Sequence, residues 1–289
     1  MNQVQKLSIG TAKFGMNYDY LNNSKMLKMS TCHQILDYAT NNSIKTIDTA
    51  QAYGASEQVI GSYMKKNVEN NLSITTKLTL NSNMDFDISA SLERLNLKKV
   101  YGALFHVFDD FNKNKQLYEK LNNFKKDGLV EKIGFSLYFP EQLEQLINSK
   151  IHMDIIQVSY SPFDQRFVKY FKDLKMLGIE IHVRSVFLHG LYFKNPNHLS
   201  SYFDEIKNKL MILKKISVSS DISIASICVN FALKNEYIDK VIIGVDNELI
   251  LLQNIKLIRE FDRDSKVFDG FSDLAVQNVD ILFPHHWKH

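Results

Sequence analysis

One pattern repeats through most of this chain. A short apolar, β-favouring run is followed by a stretch with helical spacing, and the alternation recurs eight times. The predicted strands are LSIGTAKF (Leu7–Phe14), a run through Ile44, Thr46 and Ile47 ending at Asp48, and SITTKL (Ser73–Leu78). They continue with VYGALFHV (Val100–Val107), EKIGFSLY (Glu131–Tyr138), DIIQVSYS (Asp154–Ser161), IEIHVRSV (Ile179–Val186) and KVIIGV (Lys240–Val245). Helix signals fall between them. Thr31 opens one helix, and Ser56 caps another, with Glu57 in its first turn and Val59, Ile60 and Tyr63 behind. Pro140 suits a first turn, FDQRFVKYFKDLKMLG reads as a helix ending at Gly178, and Gly128 is a further C-terminal stop. Eight such units close most simply into a (β/α)8 TIM barrel, which places catalytic groups after the C-terminal ends of the strands. A longer insertion, Phe187 to Ser219, follows the seventh strand, and a tail follows the eighth. A doubly wound sheet is the alternative, but no GxGxxG follows the first strand and no GxxxxGK[ST] occurs.

At 289 residues a barrel of this kind fits residues 1–289 as one domain. The formal net charge is only +3 and the charges are scattered, so no nucleic-acid partner is expected. No apolar stretch has membrane-spanning length and the polar start MNQVQK is no signal peptide, so no membrane is expected and the cytoplasm is the default. Cys32 and Cys228 form no CxxC and suit a reducing compartment. The ending FPHHWKH offers His285, His286 and His289 without a carboxylate or cysteine cluster, so no metal is expected. Phe283 and Trp287 are expected to fold over the barrel or to make a subunit contact; the oligomeric state is not legible.

Four polar groups fall at strand ends: Asp48 after the second, Lys77 at the third, His106 at the fourth, and Tyr53 in the loop after Asp48. Taken singly, each is commonly a solvated or packed side chain. Together they describe a proton-donating device. A lysine ammonium favours the phenolate of an adjacent tyrosine, an aspartate holds that lysine charged, and a histidine can orient a substrate carbonyl.

The ordered series GTAKFG, IDTAQAYGASE, TTKL, LFH, IGFS, IIQVSYSPF and IIGVDN resembles the aldo-keto reductase family over nearly the whole chain. The resemblance implies a barrel that binds NADP(H), with NAD(H) as a possible alternative, across its mouth. It also implies reduction of an aldehyde or ketone by Asp48, Tyr53, Lys77 and His106. By the same resemblance Ser136 and Gln157 lie near the nicotinamide carboxamide, and Arg184 packs on the nicotinamide ring. Ser185 and the backbone through Gly190 face the pyrophosphate, and Thr11, Gly244, Asp246, Gln253 and Asn254 complete the cofactor site. One departure is Leu137, where many members carry Asn. Another is that GVDNELILLQN contains no basic residue for a 2′-phosphate and Asp246 would repel one, which points to relaxed cofactor choice. The substrate is expected to be a small-molecule carbonyl compound selected by the loops Met16–Lys28 and Phe108–Lys115 and by the insertion with Tyr192 and Phe193. Tyr18, Tyr20, Phe108 and Tyr138 could stack on it. GTAKFGMNYDY and VRSVFLHGLY are similar to a bacterial branch associated with sugar and surface-glycan metabolism, which implies a keto-sugar or nucleotide-sugar. Two other classes stand beside this reading: a nicotinamide-nucleotide-binding regulator on the same fold, and a barrel isomerase or lyase using Asp48 or His106 as base.

Overall fold

The computed structural model describes residues 3–18, 25–69, 71–262 and 266–287, so Tyr20 and His289 lie outside the described residues. Eight parallel strands, β1 (Leu7–Gly10), β2 (Thr46–Asp48), β3 (Ser73–Leu78), β4 (Val100–Phe105), β5 (Val130–Ser136), β6 (Ile155–Ser159), β7 (Glu180–Arg184) and β8 (Lys240–Gly244), close into a barrel in sequence order. Around them and in the loops lie α1 (Ala12–Gly15), α2 (Met29–Asn41), α3 (Ser56–Lys66), α4 (Ile88–Leu95), α5 (Phe108–Lys113) and α6 (Gln116–Lys126). After β5 come α7 (Pro140–Asn148), α8 (Phe171–Met176), α9 (Asp204–Ser220), α10 (Ile224–Lys234), α11 (Glu248–Arg259) and α12 (Val279–Leu282). No single helix among the described residues is long and apolar enough to cross a membrane.

Register decides which side chains meet at the mouth. Gly10 pairs with both Asp48 and Gly244, Ser136 pairs with Gln157, and Ser159 pairs with Arg184, so the polar strand ends line one rim. The opposite end carries an ionic cluster. Glu180 accepts hydrogen bonds from Tyr101 at 2.7 and 2.8 Å and from Lys132 and His182. Burial pushes its carboxyl up, but the hydrogen bonds from His182, Lys132 and Tyr101 outweigh that and hold it down at about 2.

Several local expectations need correction. The first strand stops at Gly10, and the segment through Phe14, predicted as strand, turns into α1 so that Phe14 is buried. The second helix begins at Met29, ahead of Thr31. The predicted helix from Phe163 is a turn at first, because Asp164 folds back on Arg166 with two contacts of 2.8 Å; only Val168–Tyr170 (3-10) and α8 are helical. The insertion carries three 3-10 turns and most of α9. With the tail, it forms a second apolar cluster around Phe163, Leu188, Tyr192, Phe203 and Trp287. The tail does fold over the barrel. Trp287 packs edge-on against Phe203, and Phe283 packs against Tyr138 and Phe139 in the loop after β5.

Candidate active site

β2 ends with its carboxylate at the rim because Ile47 is buried and alternation turns Asp48 the other way. The Asp48 carbonyl accepts from the backbone N–H of Thr11 at 3.1 Å and from its hydroxyl at 2.9 Å, tying the ends of β1 and β2 together. The chain then turns through Gly54 (φ 55°) and enters α3. Ser56 is not the helix cap predicted for it. Ala55 occupies the cap position, and the Ser56 hydroxyl reaches back to the Thr11 carbonyl at 3.0 Å, to its hydroxyl at 2.8 Å, and to Thr49 Oγ1 at 3.0 Å.

The four predicted groups converge. Lys77 Nζ donates to Asp48 Oδ1 at 2.6 Å and to the Thr49 carbonyl at 3.1 Å, and it stands 3.4 Å from the Tyr53 hydroxyl. Lys77 is only 1% exposed. Burial lowers its pKa, the charge and hydrogen bond of Asp48 oppose that, and Arg184 adds to the lowering. The Tyr53 and His106 rings meet edge to face, with centroids 5.7 Å apart. His106 is pushed down to about 3 by burial, and then by the positive charges of Lys77 and Arg184, so the imidazole is neutral across the physiological range. Thr79 Oγ1 lies 3.4 Å from its Nδ1; if that nitrogen accepts from the hydroxyl, Nε2–H is left to donate.

The depressed His106 value carries a stability consequence. The unfolded chain binds this proton near pH 6.5 and the folded chain only near 3, so His106 contributes stability that is present above 6.5 and lost as pH falls toward 3. The full span is worth at most about 5 kcal/mol. Urea unfolding of wild type and His106→Asn across this window should show the acid-side loss shrinking in the variant; parallel curves would sink the assignment.

Beside these groups lies a cavity of about 560 Å³, within the range of cofactor sites. Of the residues expected to hold the cofactor, Thr11, Asp48, Arg184, Ser185, Gly190, Gly244, Asp246, Gln253 and Asn254 line it together with Tyr53. Ser136 and Gln157 do not line it. Both are buried, and Gln157 Nε2 instead donates to Asp48 Oδ2 at 2.6 Å, so the glutamine belongs to the ionic centre. Its Oε1 is a buried acceptor that no hydrogen bond satisfies. Leu137 is fully buried, and its carbonyl accepts from Arg184 Nη2 at 3.2 Å. Arg184 also donates to Ser159 Oγ at 2.8 Å and lies 4.3 Å above the Tyr138 ring, so one face of its guanidinium is taken by an aromatic of the protein itself.

The residues present suit an extended dinucleotide. A Cβ added at Gly244 would meet no atom within 4 Å, so the glycine leaves floor space that a side chain would fill. Ser185, Leu188, His189 and Gly190 all take positive φ, turning the loop after β7 back along the cavity. Across the mouth, Lys13 Nζ donates to Asp246 Oδ1 at 2.7 Å. Nothing local in GTAKFG marks Lys13, because its partner lies 233 positions away. Tyr18 packs on His189 with centroids 5.2 Å apart, and the His285 ring approaches Tyr138 at 6.3 Å. His286 pairs with Asp280 at 2.9 Å.

An eight-stranded parallel barrel with an aspartate, a lysine, a tyrosine and a histidine at one rim defines a class of barrel oxidoreductase. The sequence pattern of the aldo/keto reductase family matches residues 6–275, and the chain belongs to that family. It is an NAD(P)H-dependent oxidoreductase acting on carbonyl compounds. No curated protein sequence matches the chain. Among solved structures it is similar to aldo-keto reductase AKR11C1 from Bacillus halodurans, at 17% identity and TM-score 0.75 over 94% of this chain and 93% of that one. It is also similar to glycerol dehydrogenase AKR11B4 from Gluconobacter oxydans, at 15% identity and TM-score 0.69 over 93% and 90%. A third is the aldo-keto reductase MGS-M4 from a Medee basin deep-sea metagenome library, at 18% identity and TM-score 0.68 over 93% and 90%. At these identities the likeness concerns the fold.

Proposed function

We propose that the chain reduces the carbonyl of a hydroxylated, sugar-derived compound, such as a keto-sugar or nucleotide-sugar, and that Tyr53 gives the proton. The observation that carries this is Lys77, joined to Asp48 at 2.6 Å and within 3.4 Å of the Tyr53 hydroxyl beside a cavity of cofactor size. The residues lining that cavity would hold a reduced nicotinamide, which would supply the hydride. Neutral His106 donates a hydrogen bond to the substrate carbonyl and fixes its approach to the phenol. Tyr53 protonates the developing alkoxide, and Lys77 stabilises the phenolate left behind while Asp48 holds the lysine in place. Gln157 anchors the second oxygen of Asp48, so the carboxylate cannot swing away from Lys77. Tyr18 lines the cavity beside Tyr53 and brings an aromatic ring there, which suits the apolar face of a sugar. Binding of NADPH or NADH, followed by a screen of keto-sugars against simple aldehydes, tests the reading; reduction of simple aldehydes alone would remove the sugar assignment.

For the cofactor, the basic residue missing from the segment after β8 is supplied by Lys13, which is already bound to Asp246. A 2′-phosphate near this pair would compete with Asp246 for the ammonium, and this supports relaxed use of NADPH and NADH. Fluorescence titration of Asp246→Asn should move the preference toward NADPH by about tenfold, the effect of one charge-assisted contact. Arg184→Ala should weaken both cofactors alike. An unchanged NADPH-to-NADH ratio in the first variant, or unchanged affinities in the second, would remove the corresponding role.

A further inference from the structure

The turn that carries Tyr53 rests on α1 through two glycines. Gly15 ends α1 and lies flat against the backbone of Tyr53 to Ser56, where its carbonyl accepts from Ala55 N at 3.3 Å. A Cβ on Gly15 would stand 1.8 Å from the Tyr53 carbonyl oxygen, 2.2 Å from Ser56 N and 2.6 Å from Ala55 N. From the other side, a Cβ on Gly54 would stand 2.2 Å from the Gly15 carbonyl oxygen. Gly54 has a positive φ of its own, but Gly15 does not. Glycine at 15 is therefore required by space rather than by backbone conformation. The obstructing atoms are backbone, which cannot rotate aside as a side-chain tip would. The same seam is fastened by the Ser56 hydroxyl on Thr11 and Thr49.

What the seam controls is the height of the phenol. The Tyr53 hydroxyl lies 3.4 Å from Lys77 Nζ, at the outer edge of hydrogen-bond distance, so a small movement of the turn decides whether the two groups couple. We infer that Gly15 is a positioning residue for Tyr53, holding its turn down on α1 so that the phenol stays within reach of Lys77. The inference rests on the carbonyl-reduction reading for its catalytic consequence, but the placement of the ring can be read without turnover. Glycine allows the closest approach of the two backbones, and any side chain at 15 lifts the tyrosine away from its ammonium.

The test uses full-length protein carrying 13Cζ-tyrosine, in which the Tyr53 resonance is the one missing from Tyr53→Phe. In Gly15→Ala the Tyr53 ring should titrate about one pH unit higher than in wild type, as coupling to the ammonium weakens. Turnover should fall about a hundredfold, with the apparent KM for substrate within a few-fold of wild type. Ser56→Ala, which loosens the seam without overlap, should move both readings the same way by less. Gly128→Ala is the stability control. Gly128 has φ 74° and open space around its Cβ position, so this variant should melt earlier while both readings stay at wild type. A folded Gly15→Ala with wild-type ring titration and turnover overturns the inference. Should Gly15→Ala not fold, Ser56→Ala decides, and wild-type values there overturn it equally. A wild-type protein that binds NADPH yet reduces no carbonyl compound would remove the functional reading, and the ring titration would still decide the positioning.

Discussion

Tyr53→Phe should lower turnover with carbonyl substrates by about 10²- to 10⁴-fold, the range that a positioned general acid contributes, while cofactor affinity stays within a few-fold of wild type. The substitution removes one oxygen and keeps the ring. The edge-to-face contact with His106 and the approach of Lys77 Nζ to 4.9 Å from the ring centroid are both properties of that ring. Tyr53 is half-buried and its Lys77 contact is long, so stability should change by no more than about 1 kcal/mol. Stopped-flow reduction under saturating NADPH, with a separate fluorescence titration of the cofactor, separates proton delivery from binding. Turnover within threefold of wild type would remove Tyr53 as the donor. Loss of turnover with full retention of the protein's effect in the cell would favour the nucleotide-binding regulator over the enzyme.

The parts of this centre that were legible in the sequence are those fixed by strand periodicity. Asp48 and Lys77 could be placed because buried Ile47 and Ile74 mark the strands that deliver them, and because a barrel brings all strand ends to one rim. His106 directly follows the end of β4 and Tyr53 lies five residues past the end of β2, so the ordered motifs carry them too. What could not be read depends on contacts between loops. Lys13 meets Asp246 only because β8 closes against β1, and no local pattern encodes a pairing over that separation. Ser56 has the composition of a helix cap, yet the approach of Thr11 gives its hydroxyl nearer partners than the helix offers. Gln157 lies on β6 as the periodicity predicts, but its amide N–H2 has a partner, Asp48 Oδ2, that no local pattern announces. Whether an amide at a strand end faces the cavity or the ionic centre is set by barrel tilt, and here it donates to Asp48. At Phe14, apolar character suggested a strand, but burial is met equally well by the single turn of α1, which in turn seats Gly15 on Tyr53.

Lys77→Met should be the most damaging single change, because it affects stability and chemistry through different partners. Methionine nearly fills the volume of the lysine stem, so little cavity is expected. The loss is electrostatic: Asp48, 4% exposed, keeps the hydrogen bond from Gln157 but no longer has a cation at 2.6 Å. Breaking one side of a buried ion pair costs about 3–5 kcal/mol, which for a chain of this size lowers the melting temperature on the order of 10 °C. Turnover should fall into the same range as in Tyr53→Phe, since a phenol without its ammonium is a poor acid at neutral pH. Adding Asp48→Asn to Lys77→Met tells the two effects apart. The amide removes the stranded charge, so the double variant should recover most of the lost melting temperature while turnover stays low. Recovery of both would mean that Lys77 serves only to neutralise Asp48. Recovery of neither would mean that the carboxylate was not the source of the instability.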